Sequence, residues 1–146
     1  MYTTVQFVHS YWAYLALIIL TITTINVLVS YFSGKEFAAR DFRLALFTLI
    51  VSHIQLLIGI VLYFVSPLGA KAIASEGMSA AMKDPNLRLY VVEHPLAMIL
   101  TVVFITVGYS KHKKKLTSKP KFKLLAIFYT LALIVMLSRI PWANWF

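Results

Sequence analysis

VQFVHSYWAYLALIILTITTINVLVSYF (Val5–Phe32) holds no acidic or basic residue other than one histidine in 28 positions. A transmembrane helix needs about 20 predominantly apolar residues to cross a hydrocarbon core about 30 Å thick. This run exceeds that length, and three more follow at Phe42–Val65, Leu87–Tyr109 and Phe122–Ile140. Lipid cannot satisfy an open backbone, so runs of this kind are expected as helices. The four runs occupy most of the 146 residues, and the expectation is a single all-α domain, 1–146, an integral membrane four-helix bundle. The connections are then 33–41, an outer loop 66–86, and a basic loop 110–121.

Composition agrees. The chain is 60% apolar and 13% charged, against about 45–50% and about a quarter in soluble domains. Cysteine is absent, which excludes disulfides, thiolate metal sites, iron–sulfur clusters and cysteine nucleophiles. Met1–Val8 carries no basic segment of the kind that opens a signal peptide.

The net charge of +9 by itself suggests nucleic acid, but its distribution does not. Lys35, Arg40 and Arg43 flank the first connection, and Lys111, Lys113, Lys114, Lys115, Lys119, Lys121 and Lys123 surround the third. Ten of the 14 Lys and Arg therefore lie on one side of the bundle. The positive-inside rule puts that side in the cytoplasm and both termini in the periplasm of a bacterial inner membrane. The basic cluster reads as a topology signal beside anionic headgroups, and no nucleic-acid partner is expected. Trp142 and Trp145 suit an interfacial aromatic belt. Asp84-Pro85 has the form of a helix N-cap followed by proline at the first helical position. Residues 71–82 are a candidate short interfacial helix.

Ionisable residues inside a membrane helix are functional candidates by default. Here they are His9, His53, Glu93 and His94; His112, inside the lysine run, is expected as a solvated loop residue. At 1.5 Å rise per residue His9 lies about 8 Å deep, His94 about 9 Å and His53 about 18 Å from the outer face. His9 and His94 thus share a level on two parallel helices, as two axial imidazoles of one haem iron must. Ala13 and Ala16 stand beneath His9, and Ala97, Met98 and Thr101 beneath His94, leaving room for a flat ring. Arg88 and Arg139 are candidate propionate partners. The plainer alternative puts His9 among headgroups and bonds His94 to a carbonyl loosened by Pro95.

His53 comes with Ser52, Gln55 and Gly59. It is a candidate for a network behind the ligands, a quinone site, a proton path, a second haem (not favoured), or an interhelical hydrogen bond. Glu93 points about 100° away from His94 around the helix and could orient His9, meet Arg88 or face the outer loop. Asn26, Thr23 and Thr24 are expected to bond between helices.

SHIQLLIG (Ser52–Gly59), Tyr63-Phe64, Ser66-Pro67, Met82-Lys83-Asp84-Pro85, Val92-Glu93-His94 and Ile140-Pro141-Trp142 together resemble a family of small four-helix, cytochrome b-like membrane proteins of Bacteroidetes-type bacteria. The resemblance covers nearly the whole chain and implies haem binding. More loosely, His9, Gln55–Gly59 and His94 occur in the order seen in one four-helix half of haem A synthase, which implies axial ligation by His9 and His94. That family often has an arginine after its first histidine; here Ser10 follows His9, and the chain is half as long, so haem A synthesis is not implied. The expected function is one-electron transfer at one haem b near the periplasmic face, with quinone and other redox membrane subunits as candidate partners. An electron carrier is expected rather than a stand-alone enzyme. The alternative is a cofactor-free accessory or assembly subunit of a larger membrane complex. Oligomeric state is left open.

Overall fold

The computed structural model describes residues 1–145. Among these there is no strand, and four helical segments are long and apolar enough to cross a membrane: Tyr2–Ser33, Ala39–Glu76, Pro85–Lys113 and Ser118–Ser138. Only 22–39% of the most apolar window of each is buried within the chain. The remaining apolar side chains, such as Ile25, Val29, Leu57, Phe64 and Ile134, face outward, as a lipid-embedded bundle requires.

The helices are α1 (Tyr2–Ser33), α2 (Ala39–Val65), α3 (Ala70–Glu76), α4 (Met78–Lys83), α5 (Pro85–Arg88), α6 (His94–Lys113), α7 (Ser118–Ser138) and α8 (Trp142–Trp145). α1 and α6 each pack against both α2 and α7. They therefore stand diagonally across the bundle, and in an up-down-up-down arrangement diagonal helices run parallel.

The spans are where hydropathy puts them, but their boundaries move. α2 begins at Ala39 because the Asp41 carboxylate accepts the Ala38 N–H at 2.9 Å and holds the turn. The segment holding His94 is helical from Pro85, where the Asp84 carboxylate accepts the Asn86 and Leu87 N–H groups at 3.0 and 3.4 Å. The basic connection shrinks from 110–121 to the four residues 114–117, since α6 runs to Lys113 and α7 starts at Ser118, ending at Ser138 rather than Ile140. Long lysine stems let a membrane helix carry charge at its end. His112 is accordingly no solvated loop residue. It lies fully buried in the last turn of α6, among the rings of Phe37, Phe42 and Tyr109.

The connection after α2 folds into α3 and α4, two short helices meeting at Gly77. Ala72, Ala81, Leu87 and Val91 form a small cluster beneath them.

The half of the bundle nearer the lysines is closed. Leu20, Val27, Ile105, Phe122 and Tyr129 are fully buried there. The Tyr129 hydroxyl donates to the Ala45 carbonyl at 2.9 Å, and Thr23 and Thr48 share a 2.8 Å bond between α1 and α2. Asp41, buried, collects Asn26 at 2.8 Å and Lys35 at 3.0 Å. Gly108 lets α7 come close: a Cβ there would stand 2.6 Å from Phe128 Cβ.

Candidate functional site

The opposite half of the bundle, which carries His9 and His94, is hollow. A cavity of about 530 Å³ lies between α1, α2, α6 and α7, within the usual range of small-molecule sites. Its walls come from His9, Ala13 and Ala16 on α1, Ser52, Gln55 and Gly59 on α2, and His94, Met98 and Thr101 on α6. The C-terminal segment closes its rim through Pro141, Asn144 and Trp145. Trp145 stacks on Tyr14 at 4.4 Å, and Asn144 donates to the Tyr90 hydroxyl at 2.8 Å.

Proline shapes the entry of α6. Pro95 has no N–H and its ring crowds the carbonyl four residues back. The chain answers with a π turn over Leu89–Glu93, in which the His94 N–H reaches the Leu89 carbonyl. The Val91 carbonyl, which Pro95 cannot serve, accepts the Tyr63 hydroxyl at 3.0 Å. Single π turns of this kind re-aim side chains and often occur at functional sites.

The two imidazoles meet across the diagonal. Their ring centres are 6.3 Å apart and their planes are inclined at 80°. His94 Nδ1 lies 2.8 Å from the Arg139 carbonyl. A carbonyl only accepts, so Nδ1 carries the proton and Nε2 keeps a free lone pair. His9 rests against the bare Cα of Gly59, where a Cβ would stand 3.3 Å from His9 Cε1. Gln55 Nε2 donates to the His9 carbonyl at 3.0 Å and lies 3.3 Å from His9 Nδ1. Gln55 Oε1 and Ser52 Oγ, both on the cavity wall, are buried without a partner. Turning the amide over presents Oε1 to a protonated Nδ1 and frees Nε2 of His9 in the same way, at the loss of the bond to the His9 carbonyl.

No group of three or more His, Asp or Glu side chains clusters among the described residues. Two imidazoles alone do not close a structural zinc site, which takes four protein ligands. They do suffice for a metal whose remaining ligands come from a macrocycle. The two rings, 6.3 Å apart beside the cavity, could each offer one nitrogen to such a metal. The donor types and the cavity are those a bis-imidazole haem would need.

Ala97 is not on the cavity wall; its carbonyl accepts the Thr101 hydroxyl at 2.9 Å. At 100° per residue Ala97 is rotated about 60° from His94, whereas Met98 and Thr101 are within about 40° and 20°. Arg88 and Arg139 do not line the cavity either. Both bind Glu93, at 3.3 Å and 3.5 Å, so Glu93 joins two arginines and makes no contact with His9. His53 lies outside the site, exposed on α2. Its Nδ1 donates to the Leu49 carbonyl at 2.8 Å, and its Nε2 lies 3.4 Å from the Thr106 hydroxyl on α6, whose one proton also faces the Val102 carbonyl at 2.7 Å. It makes the interhelical contact. The C-terminal rim shows in the sequence only as an aromatic belt, of which Trp145 stacks on Tyr14.

Comparison of the chain with protein-family models, with curated proteins and with solved structures finds no match.

Proposed function

We propose that this membrane bundle binds one b-type haem between His9 and His94 and acts as a one-electron carrier. The observation that carries the reading is the pair of imidazoles 6.3 Å apart over a 530 Å³ cavity. The rise of α1 and α6 from their common end brings the two rings to one height. The Arg139 carbonyl fixes the tautomer of His94 and leaves its Nε2 with the lone pair, while Gln55 and Gly59 hold the ring of His9. The carbonyl behind His94 raises its basicity and sets its orientation; Gln55 would do the same for His9 with its amide turned so that Oε1 faces Nδ1. Ala13 and Ala16 keep the α1 wall low, and Met98 and Thr101 form the facing wall. Haem, when bound, supplies a ferric–ferrous couple whose potential follows from axial ligands, burial and nearby charge. Arg88 and Arg139 stand off the cavity wall; we assign the propionates to the guanidinium N–H groups they keep beyond those given to Glu93 and to the Met82 and Ser138 carbonyls.

The positive-inside rule orients the bundle with the lysines in the cytoplasm of a bacterial inner membrane and the histidines toward the periplasm. A quinol, being lipid-soluble, is the donor class that reaches such a site from within the bilayer. A neighbouring redox subunit is the corresponding acceptor.

The test is the absorption spectrum of protein purified in detergent from haem-replete cells. A sharp Soret band, with alpha and beta bands on reduction and one haem b per chain, is expected. A folded, colourless preparation would favour the cofactor-free accessory subunit instead.

A further inference from the structure

The four arginines are treated very differently by the fold. Arg88 and Arg139 share the Glu93 carboxylate. Arg40 and Arg43, at the start of α2, are both exposed and make no ion pair or hydrogen bond among the described residues. The nearest acids in sequence do not serve them. Asp41 is buried and already occupied by Lys35, Asn26 and the Ala38 N–H, and Glu36 pairs with neither arginine. Below the two guanidinium groups runs a shallow groove of about 420 Å³, lined by Leu44, Leu46, Phe47 and Ile50.

Arg40, Arg43, Leu44, Phe47 and Ile50 follow helical spacing, so they form one stripe along the outer face of α2. From Arg40 to Ile50 is ten residues, a rise of about 15 Å. That is half of a hydrocarbon core about 30 Å thick, the depth of a single leaflet. The stripe is cationic at the membrane surface and apolar through one leaflet. Arginine holds a phosphate through two parallel N–H···O bonds, which lysine cannot do. We propose that the groove from Arg40 to Ile50 is a specific binding site for one anionic phospholipid. Its phosphodiester sits between Arg40 and Arg43, and an acyl chain lies along Leu44, Phe47 and Ile50. The lysines of the 114–117 connection add a diffuse attraction for anionic lipid.

The test uses the full chain in detergent and native mass spectrometry, titrating phosphatidylglycerol against phosphatidylcholine. Wild-type protein is expected to keep one phosphatidylglycerol at activation energies that strip phosphatidylcholine. R40Q/R43Q should weaken that first binding event by about tenfold or more. K114Q/K115Q removes the same charge and should weaken it no more than about twofold. Excess inorganic phosphate should not displace the lipid, because it lacks an acyl chain. Phe47→Ala should weaken binding with both arginines intact. All variants alter exposed positions, and an unchanged melting temperature confirms that each is folded. Equal losses in the two double variants, equal retention of phosphatidylcholine, or displacement by phosphate would overturn the site.

Discussion

The two halves of this bundle are built from the same four helices and differ in what fills them. Toward the lysines, Phe122, Tyr129, Ile105 and Leu20 close the interior, and Gly108 brings α6 and α7 together. Toward the termini, the same helices enclose a cavity where Ala13, Ala16, Ser52 and Gly59 keep the wall low between larger apolar side chains such as Leu56, Ile60 and Met136, with two histidines across it. Each half has one glycine that admits a ring: Gly108 makes room for Phe128, Gly59 for the imidazole of His9. One half supplies rigidity, and the other carries a site that packing alone does not explain. Hollow space in a membrane bundle forfeits dispersion contacts along its walls, contacts that the proposed haem would restore.

Substitutions that separate site from scaffold can break this contrast. The largest effect is expected from His9→Ala or His94→Ala. Each should abolish the low-spin haem spectrum, while His53→Ala, on the outside of α2, should leave it intact. If His53→Ala removes the spectrum and His9→Ala does not, the assignment by depth fails. In the packed half, Phe122→Ala should lower stability by about 3 kcal/mol or more, measured by denaturation in detergent, with haem retained in the folded fraction. Matched changes at the two glycines come next. Gly108→Ala should destabilise by roughly 1–3 kcal/mol, because its Cβ meets the root of the Phe128 side chain at 2.6 Å. Gly59→Leu should instead displace His9 and reduce haem occupancy with a smaller change in folding stability. If both glycines cost stability alike and neither affects haem, the division into site and scaffold is wrong. The smallest effect is expected from Tyr63→Phe, which strands the Val91 carbonyl at the π turn. About 1 kcal/mol is expected, the scale of a hydrogen bond inside a membrane protein. A shift in the haem spectrum should accompany it, since this turn aims His94.

The spans were legible because four apolar runs of sufficient length leave a membrane chain no other regular structure. The pairing of His9 with His94 was legible for an equally simple reason: helical rise converts sequence position into depth. Azimuth was less well read. Ala97 is three residues from His94, yet it is rotated off the cavity, while Met98 and Thr101 remain on it. Charge misled the reading of His112, because a lysine run resembles a loop even where snorkelling stems allow the helix to continue. The joining of Arg88 and Arg139 by Glu93 depends on how α7 ends beside the π turn, a tertiary arrangement that spacing does not reveal. The same holds for Tyr63, which reaches the Val91 carbonyl 28 residues away.

The central claim is that two near-perpendicular imidazoles, held from diagonal helices, ligate one haem. Low-temperature electron paramagnetic resonance of the ferric protein tests it most directly. The 80° between the ring planes predicts a single, strongly anisotropic low-spin signal that disappears in His94→Ala. A high-spin signal in the native protein, or a folded chain from haem-replete cells with no haem-iron signal, would contradict the account.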